Sequence, residues 1–182
     1  MDPNAKPTKD RLIEAATLLF RSQGYNGVGV AEILAAAKAP KGSLYHHFPN
    51  GKADLALAAA HMASDEMLRL IALSFSDAAS FKDGATTLCH KLAKLFDKTG
   101  WDTCPIAATL LPGPDHAAFR EAALHIYEGW IGEVHDHASR LGLNADEAQA
   151  KSEALFIAIQ GGWMLARARR CSNVLRRVPQ TL

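Results

Sequence analysis

Apolar residues in this chain recur at three- and four-residue spacing almost throughout, and no alternating run is long enough for a strand. Leu12, Ile13, Ala16, Leu19 and Phe20 predict a first helix over 8–23, with Thr8 as its N-cap and Gly24 as the residue that ends it. Val30, Ile33, Leu34 and Ala37 mark one face of a second helix. Pro40 suits the first position of a third, where a missing N–H costs nothing; Leu44 and Phe48 point inward and FPNG stops it. A fourth helix starts near Lys52 and runs into the seventies behind Leu55, Ala59, Met62 and Leu70. A fifth covers 81–99, with Ala85, Leu88, Leu92 and Leu95 inward. TGWDTCP interrupts the pattern, Pro105 restarts a short helix and LPGPD stops it. Two long helices close the chain. One covers about 116–141 with Asp115 as cap; the other continues to about Leu175 from Asn144 and Glu147, which stand at capping-box spacing. The expected fold is all-α: a three-helix domain over 1–52, then a larger helical bundle over 53–182.

Composition and charge narrow what such a fold is for. With 48% apolar and 21% charged residues the chain can fill a packed core. Its net charge of +1 is uninformative, but the distribution is not: residues 1–52 carry +3, 53–153 carry −7 and 154–182 carry +5. A basic N-terminal segment beside an acidic middle is the pattern of a nucleic-acid-contacting element joined to a different kind of domain. The polar start MDPNAKPTKD leads into no apolar segment, and no run of eighteen apolar residues occurs, so neither a signal peptide nor a membrane span is expected. Cys89, Cys104 and Cys171 are odd in number, far apart and without a CxxC pair. That pattern fits a reducing cytoplasm and excludes a sequence-evident zinc site. No HExxH and no nucleophile–base pairing occurs, and His135 and His137 in HDH fall on different helix sides. An enzyme is not expected, nor a cofactor or a metal.

The run APKGSLYHHFPNGKADL, residues 39–55, carries the chemistry. The second and third helices form a helix-turn-helix, whose second helix lies in the DNA major groove. Lys41 at the helix start directs charge, together with the N-terminal helix dipole, at a phosphate or a guanine edge. Gly42 lets the backbone approach, Ser43 donates to phosphate or base, and Tyr45 and His46 reach outward as hydrogen-bonders. Lys52 is placed for a backbone phosphate, with Lys38 and Lys9 as helpers. His47 packs.

RLIEAATLLFRSQGYNGVGVAEILAAA followed by KGSLYHHF resembles the TetR family of bacterial transcriptional repressors, and APKGSLYHHFPNGKADL with the later CPIA is most similar to its LmrA/YxaF-like branch. The resemblance implies a homodimer that binds double-stranded operator DNA and releases it when the C-terminal bundle takes up a small-molecule effector. Where the family usually has a capping Thr before the second helix, this chain has Gly29. Where the family often has Arg or another polar residue, it has Ala31, and in place of the usual turn Gly it has Lys38. A left-handed non-glycine residue there costs roughly 1 kcal/mol.

A ligand pocket needs apolar and aromatic walls with a few polar groups; the candidates are Met62, Phe96, Trp101, Leu110, Phe119, Tyr127, Trp130 and Trp163. The absence of acids among them points to a largely apolar effector. The last two helices are long enough for a four-helix dimer interface. The helix-weakening pair Gly161–Gly162, beside Ile157, suggests close approach of a partner helix there. The arginines at 167, 169, 170, 176 and 177 are expected on a solvated helix end. An alternative reading is a thiol-based redox-sensing regulator, with Cys104 ahead of a helix as the sensor.

Overall fold

The computed structural model describes residues 6–99, 104–112 and 116–182; among these the regular structure is helical only. The helices are α1 (Thr8–Gly27), α2 (Val30–Ala36), α3 (Ser43–His47), α4 (Lys52–Phe75), α5 (Phe81–Lys98), α6 (Pro105–Leu110), α7 (Ala117–Arg140), α8 (Ala145–Arg169) and α9 (Asn173–Arg177), followed by a 3₁₀ turn, Val178–Gln180. Packing divides the chain into two compact units, 1–64 with 105–123 and 65–104 with 124–182. The first unit thus takes in more than the expected N-terminal domain 1–52. It adds the first half of α4 and the segment around α6, because α6 packs on α1.

In the first unit Leu12, Ala16 and Phe20 of α1, Ile33 of α2, Leu44 of α3 and Leu55 of α4 are fully buried, so three short elements share one core. Pro7, not Thr8, is the N-cap of α1, and it offers no side-chain bond; Thr8 is already helical and its hydroxyl accepts from Arg11 at 3.1 Å. The helix breaks at Gly24 as the sequence predicts, with φ +73° and ψ 163°, and one more turn follows. A Cβ there would lie 3.6 Å from the Ala108 carbonyl of α6, so the left-handed backbone rather than crowding fixes glycine.

The second unit is built on α5, α8 and the later parts of α4 and α7. Ser80 caps α5, accepting from the Asp83 N–H at 3.2 Å, while the Asp83 carboxylate accepts from the Ala79 N–H at 3.1 Å. The predicted capping box of α8 is present: Asn144 accepts from the Glu147 N–H at 2.9 Å, and the Glu147 carboxylate accepts from the Asn144 N–H at 3.3 Å. Leu95 of α5, expected inside, is exposed. The buried arc passes through Leu88, Leu92 and Phe96 and leaves Leu95 at its edge.

The last helix does not continue to Leu175. Arg170 turns left-handed at φ 48°, and α9 folds back onto α5 and α8. Gly162 makes that fold-back possible: a Cβ there would meet Val178 Cγ2 at 3.0 Å and Leu175 Cδ2 at 3.4 Å. Gly162 therefore serves the chain's own C-terminus, a correction to its expected place at a dimer face. Arg176 likewise departs from the expected solvated end. It pairs with Asp97 at 3.3 Å, and Ser172 donates to the same carboxylate at 3.0 Å, tying α9 to α5.

Candidate nucleic-acid interface and candidate effector cavity

Burial of Ile33, Leu34 and Ala37 on one side, and of Leu44 and Phe48 on the other, turns the opposite faces of α2 and α3 outward. Between them Lys38 sits left-handed at φ 50°, as the missing glycine predicts. Helix α3 begins at Ser43 rather than Pro40. The Ser43 N–H and hydroxyl both donate to the Pro40 carbonyl, at 3.0 and 2.7 Å, so Pro40–Gly42 form a turn. Two expectations change with it. Lys41 lies in that turn and works by charge alone, since a five-residue helix has little macrodipole. The Ser43 hydroxyl proton is spent locally, which leaves its oxygen as an acceptor.

Lys41, Gly42, Tyr45 and His46 are all exposed. Tyr45 is 62% exposed; its ring rests on Gly51, where a Cβ would come within 3.0 Å of Cε1 and where φ is +64°. That glycine both closes the turn and seats the tyrosine. His46 meets His47 edge-on at 4.8 Å, and His47 in turn contacts the Phe48 ring at 6.5 Å, in keeping with a packing role for His47. A Cβ on Gly42 would meet nothing within 4 Å, and its φ of −78° suits any residue, so nothing inside the fold requires glycine there. Gly29 caps α2 without a side-chain bond. Lys52 is less free than expected for a phosphate contact. Its ammonium lies 4.2 Å from the centre of the Tyr25 ring, and burial lowers its pKa. Tyr25 is itself held between Phe20 and Phe119, at 5.7 and 5.2 Å.

In the second unit a cavity of about 30 Å³ lies among Ile71, Leu88, Leu92, Trp130, Phe156 and Gln160, with further apolar side chains around it. Its walls are nearly all carbon. Ser152 lines it too, but its hydroxyl donates to the Ala148 carbonyl at 2.7 Å. Polarity comes from one corner: Gln160 Nε2 stands 3.7 Å from Cys104 Sγ, and the Tyr127 hydroxyl also bonds to Cys104. Burial, reinforced by that sulfur, pushes the Tyr127 phenol far up, so it is a neutral hydrogen-bonder.

The expected pocket residues do not assemble as one wall. Trp130 lines the cavity, and Tyr127 backs it through ring contacts with Trp130 and Phe156 at 5.6 and 5.0 Å. Phe96 and Trp163 form an edge-to-face core pair at 6.3 Å and do not line it. Met62, Leu110 and Phe119 belong to the first unit, where the Met62 sulfur accepts from the Thr17 hydroxyl at 3.7 Å. Trp101 lies outside the described residues. Phe156 and Gln160 were missed, although a glutamine within the apolar run FIAIQGG was a legible signal.

On α8, Ile157, Gly161, Met164 and Leu165 are exposed, a mostly apolar surface at helical spacing. Cys89 is buried and its thiol pushed up to about 12, which leaves it inert. Among the described residues no cluster of His, Cys, Asp and Glu could hold a metal ion, and no helix is long and apolar enough to cross a membrane.

Comparison with known proteins places this architecture. Residues 12–59 match the family described as bacterial regulatory proteins, tetR family, and residues 82–181 match the LmrA/YxaF-like C-terminal domain of transcriptional regulators. The HTH-type transcriptional regulator LmrA of Bacillus subtilis is 29% identical over 171 residues, 92% of this chain and 90% of that protein. The crystal structure of a regulatory protein TetR from Rhodobacter sphaeroides superimposes with a TM-score of 0.80 at 28% identity, covering 94% and 95% of the two chains. A cysteine mutant of CifR in complex with 26-bp double-strand operator DNA shares the fold, with a TM-score of 0.82 at 21% identity over 98% and 96%. The chain belongs to the TetR family of helix-turn-helix transcriptional regulators, a non-enzymatic family, and carries a C-terminal domain of the LmrA/YxaF-like kind.

Proposed function

We propose that the protein is a homodimeric repressor that grips its operator through Lys41, Gly42, Tyr45 and His46 and lets go when a small, largely apolar effector enters the second unit. One observation carries the DNA half of this reading: four residues chemically suited to phosphates and base edges are exposed together, on a turn and helix whose other side is fully buried. Ser43 joins them as an acceptor. Lys52 joins after leaving the Tyr25 ring. The exposed face of α8 supports dimerisation, since an apolar surface of that kind on a regulator is covered by a partner helix more readily than by water. Ile157 and Gly161 stay in that proposed face, extended by Met164 and Leu165. Two copies would then meet half-sites about one helical turn, roughly 34–36 Å, apart.

The cavity gives the effector half its form. Pockets for drug-sized ligands run to roughly 300–1,000 Å³, so a space of about 30 Å³ must open to accept one. The wall is shared by Met67 and Ile71 of α4, the helix that begins with Lys52. A ligand that parts those walls favours a different setting of α4, and any such preference shifts the DNA-bound population by its differential affinity. Tyr127 and Gln160 supply the orienting hydrogen bonds. The thiol-based alternative has less support, because Cys104 is 2% exposed and already engaged with Gln160 and Tyr127.

The test is a gel-shift titration against the DNA upstream of the protein's own gene, with nonspecific competitor and at two salt concentrations. Retardation that survives competitor, and that apolar aromatic compounds reverse, is expected. Binding that competitor removes everywhere would leave only a basic surface on a helical fold. Titration of the native thiols settles the alternative: rapid modification of Cys104 would favour it.

A further inference from the structure

Beside Lys41 the first unit has an open groove whose walls are Ala31 and Ala35 of α2 and Ala39 and Pro40 of the turn, with Lys38 and Lys41 at its rim. Two aliphatic side chains of α2 complete it. Ala31, Ala35 and Pro40 are exposed and Ala39 half-buried, so these methyl and ring carbons face outward. No hydroxyl, amide or carboxylate belongs to the lining. Pro40 lacks even a backbone N–H to offer. The one acid of α2, Glu32, accepts from Gln23 Nε2 at 2.7 Å and is absent from the lining. The groove is thus an uncharged hydrocarbon shelf between two cations. Lys38 occupies a left-handed position that a glycine would fill without strain. A lysine kept there against that cost has a use for its charge.

We infer that this shelf reads thymine: the C5-methyl groups on the major-groove edge of the operator pack on Ala31, Ala35, Ala39 and Pro40, while Lys38 and Lys41 hold the flanking phosphates. The inference rests on the DNA-binding reading above. Among the base edges in the major groove only thymine presents an apolar group; the others present donors and acceptors, which a shelf of alanines and proline cannot satisfy. Such a site rejects a hydrogen-bonding edge by leaving it unpaired and accepts a methyl by removing it from water. The lysines fit a polyanion along the rim and give the shelf its register. Lys41 and Tyr45 then read or anchor neighbouring positions, and the thymine preference falls between them.

The experiment uses the full-length protein and the duplex best retained from a random-sequence pool, in which thymines are replaced one at a time by uracil. Uracil keeps every hydrogen bond and lacks only the methyl. Loss of about fourfold in affinity is expected at one or two thymines per half-site, and about fifteenfold when both half-sites are changed, from the transfer energy of one methyl each. In Pro40→Ser and Ala35→Ser variants, both at exposed positions, the uracil effect at those thymines should vanish while other positions keep theirs. Specific binding that no uracil weakens overturns the shelf but leaves the repressor reading standing, and the groove then fits a protein partner. A uracil effect of equal size in the variants places the methyl contact elsewhere and also overturns it. Retention of no duplex above competitor sinks the repressor reading, and the shelf with it.

Discussion

The two units keep their chemistry on opposite sides of their cores. In the first, the residues that matter stand outside, on α3 and the turn before it, and the interior is a plain set of Leu, Ile and Phe side chains. In the second, the distinctive groups are inside. Tyr127, Cys104 and Gln160 meet at one corner of an apolar cavity. An outward site can be built from seven consecutive residues, because one buried face is enough to orient them. An inward site needs walls from several helices, so its members are scattered along the chain. The difference predicts that substitutions in the second unit act through stability and ligand response. Those on the outer face of the first act through DNA affinity with the fold intact.

The largest effect should come from Gly84→Ala in α5. A Cβ there would sit 2.2 Å from Cδ1 and 2.8 Å from Cγ of Phe75, a ring 2% exposed that cannot swing away. A stability loss of about 2 kcal/mol is expected from overpacking. Chemical denaturation measures it, and an unchanged midpoint would mean the core of the second unit is looser than described. DNA affinity per folded dimer should hold.

Lys41→Ala tests the other side of the comparison. DNA binding should weaken roughly tenfold, with the salt slope lowered by about one, and the denaturation midpoint should stay put. Undiminished affinity would move the interface off the turn. Gly42→Ala sharpens the contrast. With open space and an ordinary φ, the fold should gain about 0.4–1 kcal/mol from a stiffer unfolded chain. DNA affinity should fall severalfold if backbone approach matters, and a variant that is more stable and equally tight would show that Gly42 is idle.

The smallest effect concerns pH. His137 is buried, bonded to Glu133 at 3.2 Å through Nε2 and to Arg140 through Nδ1, with the Phe75 ring 5.3 Å away. Burial first, then Arg140, lowers its pKa, against the opposing pull of Glu133 and Asp136. With the folded pKa below the unfolded value of about 6.5, the unfolded chain takes up a proton first as pH falls. Stability contributed by the neutral imidazole is whole above that pH and declines below it, by at most about 1.4 kcal/mol per unit. His137→Gln should flatten the decline; an identical acid profile would clear His137 of the role.

Much of this was legible beforehand, and the reasons differ by element. The capping box at Asn144, the stop at Gly24 and the strained Lys38 are local events, set by residues within four positions of each other. The start of α3 was misplaced by three residues because a proline suits a turn as well as a first helical position, and the Ser43 bonds to Pro40 decide between them. Gly162 was read as a dimer contact because a helical glycine signals close approach without saying to what. Its neighbour proved to be Val178 and Leu175 of the same chain. The pocket list fared worst, since aromatic content marks core and wall alike, and only the crossing of α4, α5, α7 and α8 separates Trp130 from Trp163.

The sequence by itself determined the all-helical class, the family and the outward recognition residues, because each follows from short-range periodicity and contiguous motif. Tertiary structure alone decided that Lys52 rests on Tyr25, that α9 folds back into the slot at Gly162 and that Cys104 meets Tyr127 and Gln160. Those pairings join residues between 16 and 56 positions apart, such as Gly162 with Val178 and Cys104 with Gln160. At such separations the spacing of hydrophobic residues sets which face is buried but leaves open what it is buried against. Packing makes that choice.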